Sequence, residues 1–183
     1  MKKLFIALCF IMPLAYYRGG LATAKNKENF MHIASASFED NHALPAKYTC
    51  EGENRSPELH WSGVPAGTQS LALLVDDPDA PGGKPFVHWI VFNIPASLKS
   101  LPEGVKLKNI APDAKEGKND FGDSAYGGAC PPKGHGIHHY VFTLYALDIK
   151  LNLQEGVSKQ EFLQAMQGHV LKKAQITGLY QRI

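Results

Sequence analysis

Apolar residues along this chain gather in short runs separated by glycine and proline. "MHIASASF" (Met31–Phe38) alternates weakly between apolar and polar positions. "SLALLVDD" (Ser70–Asp77) is instead an unbroken apolar run that ends in acid. "FVHWIVFNI" (Phe86–Ile94) and "IHHYVFTLYALDI" (Ile137–Ile149) are rich in β-branched and aromatic residues, which pack well on a pleated surface. A weaker closing strand is predicted over "AQITGLYQRI". Runs as continuous as Leu71–Val75 suit strands buried on both faces, in a sandwich or a covered sheet.

One helix is predicted. Ser158 followed by Glu161 forms a capping-box pattern, and Phe162, Met166 and Val170 then recur every four residues with Leu163 beside them. Between Leu98 and Cys130 the chain is polar and rich in glycine, too long for a simple turn and of the kind that carries function. The expectation is a mainly β fold with a few short helices.

The first residues read differently. Lys2 and Lys3 precede an apolar stretch, Leu4 to Tyr17, which leads to Ala22-Thr23-Ala24. A basic start, a short apolar run and an A-x-A ending describe a secretory signal peptide, so residues 1–24 are expected to be removed and 25–183 to form a single domain. Pro13 and the shortness of the run argue against a membrane span. The 19 basic and 17 acidic residues of the whole chain become a slight acidic excess once Lys2, Lys3 and Arg18 are gone. No general attraction for nucleic acid follows. Of the 3 cysteines, Cys50 and Cys130 remain. In an oxidising compartment they form one disulfide or persist as two buried thiols.

Candidate chemistry begins at "DDPDAP" (Asp76–Pro81), where three carboxylates within four residues repel one another unless donors hold them. His88 sits inside an apolar strand and needs a partner if buried; Asp77, at the end of the preceding strand, is expected to orient it. Three further histidines fall in "PPKGHGIHHY": His135, His138 and His139. Strand alternation sends His138 and Tyr140 to one face and His139 to the other, so no shared metal site is expected and His135 is assigned only to the loop. Gly127, Gly128, Gly134 and Gly136 could turn backbone N–H groups inward as an anion-binding nest. No G-x-S-x-G elbow and no phosphate-binding P-loop occurs, Ser124 reads as an ordinary loop serine, and nothing calls for a cofactor.

Taken in order, "YTCEGENRSPELHWSGVP", "DDPDAP", "VHWIVFNIP" and "YGGACPPKGHGIHHYVFTLYALD" resemble the phosphatidylethanolamine-binding protein family, above all its bacterial Raf-kinase-inhibitor-like (YbhB/YbcL-type) branch. The resemblance covers about Ile33 to Arg182. It implies a sandwich of two antiparallel sheets with Greek-key connections and a small pocket at one end for phosphate-like head groups. Carried over by motif, Asp77, Asp79, His88, His138 and Tyr140 belong to that pocket, with Pro131 and Pro132 shaping its rim and Gly128 in the adjoining loop. Cys50 and Cys130 lie in blocks bordering the pocket, which favours the disulfide. One position departs from the family: the usual arginine is His139, for which the loss of an outward ion pair is expected. The further C-terminal helix of extended eukaryotic members is not expected in this sequence, which weakens any transfer of kinase regulation. The functional expectation is an exported, non-enzymatic binding protein for a small anionic ligand, with homodimerisation compatible. An inhibitor or interaction module acting on a protease or host protein is the alternative, and a hydrolase with a histidine base is a more distant one.

Overall fold

A computed structural model describes residues 30–183. The predicted leader and its cleavage site lie outside the described residues. Nine strands and two helices follow in the order β1 (His32–Ala34), β2 (His42–Ala43), β3 (Leu59–Ser62), β4 (Ser70–Asp77), β5 (Phe86–Pro95), β6 (Ser100–Leu101), α1 (Leu107–Ile110), β7 (Lys115–Glu116), β8 (His138–Leu147), α2 (Lys159–Met166) and β9 (Val170–Tyr180). A 3-10 turn, Ala46–Tyr48, follows β2.

The strands divide into a three-stranded sheet, β1-β3-β6, and a six-stranded sheet, β2-β9-β8-β4-β5-β7. Pairing is antiparallel except between the short β2 and β9. In the larger sheet β8 returns by a long connection to lie beside β4, giving the order β8-β4-β5-β7, which is Greek-key topology. The fold is therefore mainly β, with two sheets, as the resemblance implied.

The unbroken apolar run of β4 has a direct cause. Leu71, Leu73 and Val75 face the small sheet, in a core with Ile33, Leu59, Trp61, Val91, Phe142 and Leu144. Ala72 and Leu74 face the opposite way, against Ile90, Phe92, Phe162 and Met166. The strand is covered on one side by a sheet and on the other by α2, so neither face requires polar residues. Helix α2 begins as predicted, with Ser158 accepting from the Glu161 N–H and Glu161 accepting from the Ser158 N–H at 2.8 Å. Its stripe is shorter than the periodicity suggested. Phe162 and Met166 are buried, but Val170 belongs to β9 and is exposed, because the chain turns at Gln167–His169 and pairs with the full length of β8. Among the described residues no helix is long and apolar enough to cross a membrane.

Cys50 and Cys130 form a disulfide across a sequence separation of 80, fastening the loop after the 3-10 turn to the loop before β8. Closing so long a loop restrains the unfolded chain, typically by about 2–4 kcal/mol. Other ties join the same segments. Cys50 N–H donates to the Ala129 carbonyl at 3.1 Å, and the Tyr126 hydroxyl donates to the Tyr48 carbonyl at 2.9 Å. Reduction is therefore expected to leave the protein folded at 25 °C but to lower its midpoint by about 5–15 °C in a thermal melt followed by circular dichroism. An unchanged midpoint would show that the bridge restrains nothing.

Candidate functional site

Because β4 runs antiparallel to both β5 and β8, the end of β4 and the beginnings of its two neighbours share one edge of the large sheet. Asp77, His88 and His138 are thereby collected at one place. They line a cavity of about 290 Å³ together with Ala80, Pro81, Phe86, Phe121 and the Cys130–Pro132 segment.

The carboxylates of the "DDPD" turn escape mutual repulsion by pointing to three different partners. Asp76 pairs with Lys159 of α2 at 2.6 Å, on the face away from the small sheet. Asp77 accepts from His138 Nδ1 at 2.7 Å through one oxygen and from the Asp79 N–H at 2.8 Å through the other. Asp79 accepts from both the backbone N–H and Nδ1 of His139, at 2.8 and 2.7 Å. Burial raises the Asp79 carboxyl, but the bonds from His139 outweigh it and hold the group below its usual range.

These contacts correct four of the expectations. Asp77 orients His138 rather than His88. Asp79 is spent on His139 at the surface and does not line the cavity. His139 preserves the outward contact that loss of the arginine was expected to remove, since an imidazole on the outer face of β8 still hydrogen-bonds to the Asp79 carboxylate. His135 does more than occupy the loop: its Nδ1 lies 2.7 Å from His138 Nε2, so one proton is shared between the rings. Asp77, His138 and His135 form a chain of hydrogen bonds that begins in the core and ends at the surface.

His88 reaches the cavity by a local irregularity. Val75 pairs with Trp89 and Asp76 with Val87, leaving His88 as the extra residue of a β-bulge. Strict alternation from Trp89 would send its side chain toward α2. The bulge turns it to the small-sheet side, where its ring meets Tyr140 edge-on at 5.0 Å and Phe121 at 5.4 Å. Its Nδ1–H donates to the Gly127 carbonyl at 2.8 Å, which leaves Nε2 as the free lone pair. Burial pushes this histidine below its ordinary value, against the smaller upward pull of the Gly127 carbonyl. The ring is neutral at pH 7.

Tyr140 shares the His138 face, as alternation predicts, but lies beneath the cavity. Its hydroxyl is buried with no hydrogen-bond partner among the described residues, and burial, followed by the nearby Asp77 carboxylate, pushes the phenol up. It forms a floor under His88 and does not line the cavity. Gly128 is a correction too. Its N–H donates to Asn54 Oδ1 at 2.7 Å, and the Gly127 N–H donates to the His88 carbonyl at 2.9 Å, so neither contributes to an open nest. Gly128 is required for packing instead: a Cβ there would sit 2.6 Å from the Tyr48 carbonyl oxygen. Pro131 and Pro132 do line the wall.

Two aromatic wall residues were missed by sequence reasoning. Phe121 is half exposed and packs on Phe86 at 4.8 Å, forming the lip of the cavity. The signal was a single phenylalanine in an otherwise polar loop, "KNDFGDS".

Residues 34–181 match the phosphatidylethanolamine-binding protein family. The chain belongs to it. A UPF0098 protein of Methanothermobacter thermautotrophicus is 48% identical over 153 residues, covering 83% of this chain and 99% of that relative. Among solved structures, Escherichia coli YbcL superposes with a TM-score of 0.79 at 37% identity, over 84% of this chain and 99% of YbcL. A family homologue from Chlamydia trachomatis gives 0.78 at 37% identity, over 85% of this chain and 99% of that one. Membership extends to the YbcL-type branch.

The two aspartates of the turn differ sharply in what their loss would cost. Asp77→Ala leaves His138 Nδ1–H buried without an acceptor, a loss of about 1–3 kcal/mol. Asp79→Ala removes a half-exposed pair and costs below about 1 kcal/mol. Urea titration of both variants gives the comparison, and equal losses would contradict the assignment.

Proposed function

We propose that this protein is a non-enzymatic binding protein whose cavity takes a small anion of the phosphate class, free or as the head group of a phospholipid. The observation that carries the reading is the convergence of His88 and His138 on one small, mostly apolar cavity, which they line beside the Asp77 carboxylate. Asp77 is occupied by donors on both oxygens, so its charge is directed into His138 and the Asp79 N–H rather than at a guest. His88 Nε2 stands opposite as a group that becomes a donor once protonated. A concave, mostly apolar site with a few convergent polar groups is the usual form of a ligand pocket. The family description, phosphatidylethanolamine-binding protein, points to the same ligand class. Export of the chain after removal of residues 1–24 belongs to this proposal, and the Cys50–Cys130 disulfide supports it, since such bonds persist in oxidising compartments.

Proton linkage supplies the test. His88 is held neutral below its ordinary 6.5, and an anion needs the protonated ring. Binding must therefore take up a proton, and affinity must rise as pH falls toward the lowered value of the free folded protein, levelling off below it. Sulfate keeps one charge state between about pH 5 and 8, the range where histidine titrates, so its binding reports the protein's proton alone. Calorimetry with sulfate is expected to show affinity stronger at the acid end by about tenfold, and a phosphate monoester, which itself titrates near about pH 6, is compared with sulfate at one fixed pH. His88→Ala is expected to abolish that dependence for sulfate. Equal affinity in wild type and His88→Ala would sink the proposal.

A further inference from the structure

The Cys50–Cys130 disulfide has two unlike ends. Cys50 is exposed in the loop after the 3-10 turn, whereas Cys130 is half buried and belongs to the cavity wall. A guanidinium lies against the second. Arg182 Nη1 lies 3.6 Å from Cys130 Sγ and 3.4 Å from the Pro131 carbonyl oxygen. The arginine is held there by Glu51, whose Oε1 is 3.3 Å from Arg182 Nε, and by its own carbonyl, which accepts from the Gly134 N–H at 3.0 Å. Tyr180 donates to the other oxygen of Glu51, which fixes the carboxylate in turn.

We propose that this bond is a site of directional thiol–disulfide exchange, in which an external thiolate attacks Cys50 and Cys130 departs. The attacking sulfur forms a new S–S bond with Cys50 Sγ, and the Cys50–Cys130 bond breaks. Its electron pair goes to Cys130 Sγ, which leaves as a thiolate beside Arg182. No further oxidant or reductant is needed, because the external thiol is the co-reactant. Exchange rates depend on access to the attacked sulfur and on the stability of the departing thiolate. Both favour the same direction here. Cys50 is the more exposed of the two residues, and a cation beside the Cys130 sulfur stabilises the thiolate that leaves.

The fold does not rely on the bond to keep these segments together. Gly128 N–H to Asn54, Tyr126 hydroxyl to the Tyr48 carbonyl and Cys50 N–H to the Ala129 carbonyl all remain after exchange. The product is a folded protein that carries the incoming thiol at its surface and a thiolate in the cavity wall. The inference is independent of what the cavity takes.

Reduced glutathione serves as the probe. The folded full chain is incubated with it, quenched in acid and alkylated, and the two cysteine peptides are mapped by mass spectrometry. Glutathione is expected on Cys50 and the alkyl group on Cys130, in a ratio of about ten to one or more. The same reaction in urea, where exposure and Arg182 no longer distinguish the sulfurs, is expected to approach one to one. Arg182→Gln is expected to slow exchange on the folded protein by about threefold, with Arg182→Lys recovering most of the rate. Glutathione distributed equally on the folded protein, or found mainly on Cys130, overturns the proposal. So does a folded protein that fails to react where the urea sample does, or an Arg182→Gln rate equal to wild type.

Discussion

A carboxylate and an imidazole, both almost removed from water, meet across 2.7 Å at the open edge of the large sheet, and the site is arranged around that contact. Neither group tolerates burial alone, because an unmatched polar atom in the interior forfeits its hydration without compensation. Asp77 and His138 satisfy each other, and the consequences spread outward. His138 Nε2 is left to bond with His135 Nδ1, which ties the Pro132–Gly136 loop to the start of β8. Asp77 keeps its second oxygen for the Asp79 N–H, which shapes the turn that sends Asp79 to His139.

That contact is available only because β4 lies between β5 and β8 in register. The continuous apolar faces of β4 set its central place, since an edge position would leave one side or one row of backbone groups uncovered. Central placement brings the acid-bearing end of one strand beside the histidine-bearing starts of two others. The site is thus a by-product of core burial at one rim of the sheet, where the strands end and the loops take over. The disulfide and Arg182 close the same rim from the other side, so the cavity wall is held by covalent and ionic ties as well as by packing.

Much of this was legible in the residues. The unbroken Leu71–Val75 run announced a strand buried on both faces, the Ser158/Glu161 pair marked the start of α2, and alternation correctly separated His138 from His139. The ordered motif blocks carried the family. The partners of the histidines were not legible. Asp77 is closer in sequence to His88 than to His138, and nearness along the chain favoured the wrong imidazole. The loop glycines misled for a related reason. Their backbone N–H groups look free until the segments that cover them, around Asn54 and His88, are placed.

The sequence by itself determined the class of fold, a strand buried on both faces, the capped helix and the grouping of Asp77, His88 and His138 at one end of the sheet. These depend on local periodicity and on the need to bury apolar side chains, which a linear pattern encodes. Tertiary structure alone decided which carboxylate serves which histidine, that a bulge turns His88 into the cavity, and that Tyr140 lies beneath it as a floor. A bulge changes register by one residue and thereby reverses a side chain's face, and no composition or spacing within β5 announces it. The pairing of Asp77 with His138 spans 61 positions and exists only because two strand ends are brought side by side.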